Sequence, residues 1–188
     1  LRKKRNEGLT APQKFLLQLV LSGLYLLGMR LIGAINTSMR IPFTGIHLEL
    51  GIFYYIIALL LLCGVMNSVN LTDGIDGLAS SVTSVVALFF GAAAFFAGKA
   101  DPSLAAVSAL MLGSCTGFLV YNAYPARVFM GDTGSLFLGG MVCGMAFALD
   151  MPLILILVGI IYICETLSVI LQVTYFKLTH GKRIFKMT

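Results

Sequence analysis

What this sequence has least of is charge. Only 11% of its 188 residues are Asp, Glu, Lys or Arg, against 59% hydrophobic residues, and mean hydropathy is +0.95. A soluble domain of this length has too little interior to hide so much apolar surface, which excludes an ordinary globular fold. Cysteine is also sparse: Cys63, Cys115, Cys143 and Cys164 all fall within apolar runs and form no Cys-x-x-Cys pair. That excludes a dithiol or zinc-ribbon motif and predicts four small core residues. No internal repeat, low-complexity stretch or signal peptide is visible. Leu1 is not a natural start and the chain closes on a basic run, so a fragment of a longer protein is expected.

What is present is a series of six apolar runs: residues 15–35, 50–66, 78–98, 103–122, 133–149 and 151–176. A membrane span needs about 20 mostly apolar residues, and each run can satisfy its own backbone only as a helix. The expected fold is therefore all-α, a polytopic transmembrane bundle of about six spans in a single integral-membrane domain over 1–188. Arg2, Lys3, Lys4, Arg5, Lys14, Arg127, Lys177, Lys182, Arg183 and Lys186 share one side of it, and only Arg30, Arg40 and Lys99 lie at or near the other. The positive-inside rule makes the basic side cytoplasmic, with loops 67–77 and 122–134 and the tail 177–188. Because the basic residues flank spans, they mark topology and not a nucleic-acid surface. On the outer side, residues 36–49 carry turn chemistry, and alternation over 39–48 predicts a short hairpin with His47 as a surface residue. Asp101-Pro102 and Asp150/Pro152 make the other outer turns. Gly113/Gly117 and Gly140/Gly144 have Gly-x-x-x-Gly spacing, which predicts close helix packing.

Two Gly-rich breaks on the cytoplasmic side carry the chemistry. The first reads Asn70-Leu71-Thr72-Asp73-Gly74-Ile75-Asp76-Gly77. Its aspartates, three apart, share one face if the segment opens a helix. So close, they repel unless a cation or hydrogen-bond donors offset them. Gly74 and Gly77 allow close backbone approach to a ligand, and a helix N-terminus there favours phosphate. Capping accounts for Asp or Asn where a loop enters a helix, but does not require both aspartates, Asn70 and two glycines together. The second break, Phe129-Met130-Gly131-Asp132-Thr133-Gly134-Ser135, again sets one carboxylate among small residues. Mg²⁺ takes one or two protein carboxylates and completes its shell with phosphate and water, and Asp132 is the expected ligand. Asn122, Tyr124 and Phe129 offer an amide and aromatic faces for a base; interfacial anchoring explains the aromatics equally well. In the last run, Glu165, Ser168 and Gln172 form one stripe, either lining a site or hydrogen-bonding helices together. The basic tail either holds anionic lipid or phosphate or simply sets topology. A transport path would need polar groups across the bilayer, whereas 78–98 and 103–122 carry no charge.

The blocks NLTDGIDGLA, YNAYPARVFMGDTGSLFLGG, ETLSVILQVTYFKLT and GKRIFKM, in this order and spacing, closely resemble the phospho-N-acetylmuramoyl-pentapeptide transferases (the MraY family) of the polyprenyl-phosphate sugar-1-phosphate transferase superfamily. The resemblance covers essentially the whole chain. It implies an enzyme of the bacterial plasma membrane that moves phospho-MurNAc-pentapeptide from UDP-MurNAc-pentapeptide to undecaprenyl phosphate, giving lipid I and UMP, with Mg²⁺ required. By the same resemblance, Asp132 matches the magnesium ligand and Asp73 a catalytic aspartate near the phosphates. Gly74, Ile75, Asp76, Asn122 and Phe129 match the uridine surroundings, with Phe129 stacking on uracil. Asn70 and Gln172 match further polar positions of the cleft. It implies inhibition by nucleoside antibiotics such as tunicamycin and the muraymycins, and a possible homodimer. The family fold has about ten spans, of which these would be the fourth through ninth. The family's Asp-Asp pair upstream, a candidate general base, and its triple histidine downstream do not occur here, and His180 is not that motif. The segment alone is therefore expected to be inactive. Direct attack by the lipid phosphate and passage through a phospho-aspartate at Asp73 both fit. A transferase using UDP-GlcNAc is the main rival, and a membrane transporter the rival from another class.

Overall fold

In the computed structural model the described residues are 9–96, 102–179, 181, 182 and 184. Arg2–Arg5, Lys99, Asp101, His180, Arg183 and Lys186 lie outside them. Helix α1 (Ala11–Leu31) opens on a capping box: Thr10 is the N-cap, and its backbone N–H donates to Gln13 Oε1 at 2.9 Å. Strands β1 (Ser38–Arg40) and β2 (His47–Glu49) pair antiparallel with Met39 opposite Leu48, the hairpin expected from the alternation. Met39 is buried and His47 exposed. Then follow α2 (Phe53–Thr72), α3 (Leu78–Phe96), α4 (Pro102–Asn122), α5 (Gly131–Ala148), α6 (Ile154–Val158) and α7 (Ile160–Leu178). The described residues thus make an all-α bundle with one small hairpin.

Five of these helices, α1, α2, α3, α4 and α7, are long and apolar enough to cross a membrane. The expectation of six spans differs at α5, whose first turn is Gly-Asp-Thr-Gly-Ser and dilutes its hydropathy. The single long run 151–176 is also divided. Gly159 breaks it with ψ 16, and a Cβ there would stand 2.5 Å from the Leu155 carbonyl oxygen. The helix therefore restarts as α7 instead of continuing α6.

The packing is that of a membrane protein: most leucines of α1 and α7 face outward, and the interior mixes small, aliphatic and aromatic side chains. Ala87, Phe90 and Ala94 of α3, Val142, Cys143 and Ala146 of α5, and Tyr54 and Tyr162 form the core. Its buried hydroxyls are bonded, Thr83 to Tyr162 at 2.7 Å and Ser84 to the Ser80 carbonyl at 2.8 Å. Cys63, Cys115 and Cys143 are buried as expected, but Cys164 lies on the exposed face of α7.

The close helix approach is not where the Gly-x-x-x-Gly spacing placed it. A Cβ at Gly113, Gly117 or Gly144 meets nothing within 4 Å, and one at Gly140 reaches only Met66 Sδ at 3.9 Å. At Gly139 it would stand 2.6 Å from Met66 Cα. Gly139 is what lets α5 lie against the backbone of α2. Gly139→Val is expected to destabilise the bundle by about 1–3 kcal/mol through overpacking, with Gly144→Ala close to neutral. Thermal melting in detergent reads the difference.

Candidate active site

One end of the bundle gathers the start of α1, the end of α2, the start of α3, the end of α4 and the start of α5. Asp73 is the C-cap of α2, with φ −71 and ψ 5, and Asn70 sits in the last turn of that helix. The chain then turns through 74–77 before α3 begins at Leu78. The two aspartates therefore do not share a helical face, because a turn and not a helix start separates them. Gly77 has φ +73, and a Cβ there would meet Leu119 Cδ1 at 3.2 Å and Ala123 Cα at 3.4 Å. Its missing side chain admits the end of α4.

Asn122 locks that contact. Its Oδ1 accepts the Gly77 N–H at 3.2 Å and the Ser80 hydroxyl at 3.1 Å, and its Nδ2 donates to the Val128 carbonyl at 3.0 Å. Only 3% of the residue is exposed, so its amide is committed to joining the two loops. Asp76 adds a second tie, its Oδ2 accepting the Ala126 N–H at 2.9 Å. These bonds leave Ile75 (58% exposed), Tyr124 and Phe129 (71% exposed) as apolar surface at the same end. Gly74 lies in the turn, against the Leu71 carbonyl.

Asp132 enters from the first turn of α5, where a negative charge also suits the helix dipole. Its Oδ1 accepts from Asn70 Nδ2 at 3.1 Å, and its Oδ2 is ion-paired with Lys14 of α1. Asn70 Nδ2 also donates to the buried Ser135 hydroxyl at 2.8 Å. Three helices thus meet at one half-exposed carboxylate. The bonds from Lys14 and Asn70 hold the Asp132 carboxyl below the ordinary carboxylate range. Asp73 is pushed the other way, first by burial and then by the charge of Asp132. The repulsion is expressed at Asp73 because Asp132 is the better-neutralised partner.

Glu165, Ser168 and Gln172 all lie on a half-buried face of α7, while Leu167, Ile170 and Leu171 beside them are exposed. Gln172 Oε1 accepts the Ile184 N–H at 3.1 Å, tying the tail back to the helix. Lys14 and Ser135 are site residues that the sequence reading missed. Lys14 is 118 positions from Asp132, and as one basic residue among several before the first span it gave only a topological signal. Ser135 carried a local signal, three residues after Asp132 in the same Gly-rich break.

Among the described residues no group of three or more His, Cys, Asp and Glu forms a metal cage. Two neighbouring carboxylates, one of them destabilised by the other, suit a Mg²⁺ that takes most of its shell from phosphate and water. Such an ion at Asp132 would share the carboxylate with Asn70 and Lys14, which already engage its two oxygens.

The profile of Glycosyl transferase family 4 matches residues 6–150. The chain belongs to that family. As a family 4 member it is 55% identical over 185 residues to a phospho-N-acetylmuramoyl-pentapeptide-transferase of Clostridium perfringens (strain SM101 / Type A), covering 98% of this chain and 56% of the relative. The enzyme of the same name from Listeria monocytogenes serotype 4b (strain CLIP80459) is 47% identical over 186 residues, covering 99% and 56%. The resemblance read from the motifs is borne out. The chain spans about half the length of the curated relatives it matches.

The opposed shifts fix the sign of the pH response. Asp132, depressed, contributes stability above the ordinary carboxylate value of 3.8 that is lost as pH falls through its lowered value. Asp73, raised, contributes stability below 3.8 that is lost as pH rises through its own. Asp132→Asn removes the neighbouring charge, so the Asp73 carboxyl is expected to titrate at lower pH than in the parent protein. Isotope-edited infrared or ¹³C NMR titration of the Asp73 carboxyl checks this.

Proposed function

We propose that this chain forms the nucleotide and metal end of a phospho-N-acetylmuramoyl-pentapeptide transferase in the bacterial plasma membrane. Its substrates would be UDP-MurNAc-pentapeptide and undecaprenyl phosphate, and its products lipid I and UMP. The observation that carries the reading is the convergence of Lys14 and Asn70 on Asp132, with Asp73 at the end of α2 near enough to feel its charge, at one end of an apolar bundle. The names of relatives 55% and 47% identical over nearly the whole chain support it. The positions of Lys14, Arg127, Lys177 and Lys182 favour a cytoplasmic face for this end.

Phosphoryl transfer asks an enzyme mainly to position groups and neutralise charge. An oxygen of the lipid phosphate attacks the sugar-proximal phosphorus of the donor. The bond to the bridging oxygen breaks, and UMP leaves with that oxygen. Mg²⁺, when bound through Asp132, supplies neutralisation of the diphosphate. Asn70 and Lys14 orient the Asp132 carboxylate, and Lys14 adds a positive charge of its own for phosphate oxygens. Asp73 stands beside the phosphates. The exposed Phe129 ring and Ile75 offer an apolar shelf for the uracil, on which Phe129 stacks. The Gly77, Asn122 and Asp76 bonds hold that shelf in place. Tunicamycin and the muraymycins, being nucleosides, would compete for the same end. A homodimer is the assembly the family resemblance favours.

The deciding experiment is UMP release by the native protein in detergent with undecaprenyl phosphate and Mg²⁺, comparing UDP-MurNAc-pentapeptide with UDP-GlcNAc. Release from the muramoyl donor alone is expected, falling by more than about 10²-fold in Asp132→Asn. Release from UDP-GlcNAc alone would replace the reading with a GlcNAc-1-phosphate transferase. Release from neither by folded protein would overturn it.

A further inference from the structure

Helix α1 turns most of its leucines outward and Gln18 inward. Leu16, Leu21, Leu24 and Leu27 are exposed, whereas its buried residues are Gln18, Ser22 and Leu26. Gln18, 7% exposed, faces Asn67 of α2. Asn67 Nδ2 donates to Gln18 Oε1 at 2.6 Å and to the Cys63 carbonyl at 2.7 Å, and Gln18 Nε2 donates to Asn67 Oδ1 at 3.4 Å. One turn deeper, Ser22 Oγ meets Cys63 Sγ at 3.8 Å. One turn toward the site, Lys14 reaches Asp132. Lys14, Gln18 and Ser22 are thus a single row on α1 at four-residue spacing. On α2, Asn70 lies three residues beyond Asn67, on the same side of that helix.

Two amides taken into an apolar seam gain little net stability over well-packed leucines. What a reciprocal amide pair supplies is register: its bonds form at one axial and rotational setting of the two helices. A slip of one residue would move α1 by about 1.5 Å and turn it by roughly 100°. Lys14 stands at the helix start with 37% of its side chain exposed, so its place over Asp132 follows the setting of α1.

We propose that the Gln18–Asn67 amide pair is the positioning device of this site. It locks α1 to α2 so that Lys14, one turn beyond Gln18, and Asn70, one turn beyond Asn67, converge on the two oxygens of Asp132. The role assigned to the pair in turnover rests on the transferase reading above; its role in placing Lys14 does not.

The test uses the native protein with Gln18→Leu, which removes the pair and keeps the bulk. The exchanged double variant Gln18→Asn/Asn67→Gln keeps an amide pair of the same combined length. Ser22→Ala, one turn deeper, is the control. Two quantities are read: the acylation rate of Lys14 by an amine-reactive reagent, measured by mass spectrometry against the exposed Lys182, and the kinetics of UMP release. Gln18→Leu is expected to raise Lys14 acylation several-fold toward the Lys182 rate. It should lower kcat on the order of 10²-fold with the KM for the UDP-sugar near its parent value. The exchanged variant should restore both, and Ser22→Ala should change neither. Unchanged acylation and kcat in folded Gln18→Leu would overturn the proposal, as would a folded exchanged variant with Lys14 still exposed. If Gln18→Leu does not fold, the exchanged variant decides alone: protected Lys14 supports the pair, exposed Lys14 removes it. If the parent protein releases no UMP while acylation responds as described, the transferase reading falls and the positioning role stands.

Discussion

The seam between α2 and α5 is the contact on which the rest depends. At Gly139 the absence of a side chain lets α5 rest on the backbone of α2 beside Met66. One turn toward the site the same pair of helices is joined by Asn70, which bonds both Asp132 and Ser135. A side chain at the first point would open the second, because stiff helices transmit a displacement along their length. Buried Ser135 then returns its hydroxyl to the Gly131 carbonyl at 3.0 Å, fixing the first turn of α5 and the direction of its aspartate. The apolar seam and the polar cluster are therefore one structural unit.

Electrostatics at this end is asymmetric by construction. Asp132 receives a cation and an amide, while Asp73, on the neighbouring helix end, receives burial and a like charge. An arrangement of this kind favours the ionised form of one carboxylate and the protonated form of the other. The turn that follows is braced separately, by Asn122 across Gly77 and by Asp76 across Ala126. Asp73 and Asp76, three residues apart, thus differ in their surroundings: one caps α2 under the charge of Asp132, and the other holds a loop that leaves Ile75 and Phe129 in the open.

Much of the fold was legible. Long apolar runs have one way to satisfy their backbones in lipid, so helices, their approximate ends and the outer hairpin followed from hydropathy and turn residues. The errors have specific causes. The division of α6 from α7 depended on Gly159, and an apolar run looks continuous whether or not a glycine bends it. The helix-packing glycine was misplaced by one position, since Gly-x-x-x-Gly spacing identifies small residues but not the face that meets a neighbour. Cys164 was read as interior because hydropathy cannot distinguish a core from a lipid-facing surface.

The candidate site was legible as a set of residues but not as an arrangement. Carboxylates in Gly-rich breaks are conspicuous in a chain with so few acids, so Asp73, Asp76 and Asp132 could be named from local pattern alone. Tertiary structure decided which of them meet and what stands between them. Lys14 and Asp132 are 118 residues apart, and no local period links them. They come together because α1, α2 and α5 share one bundle end. The sequence by itself determined that this chain is a membrane helix bundle with acidic breaks at one surface, because burial and backbone satisfaction act locally along the chain. Only the packing of helices decided that Asp132 is held by Lys14 and Asn70 and that Asp76 serves a loop, because hydrogen bonds over about 3 Å depend on axial and rotational register between segments.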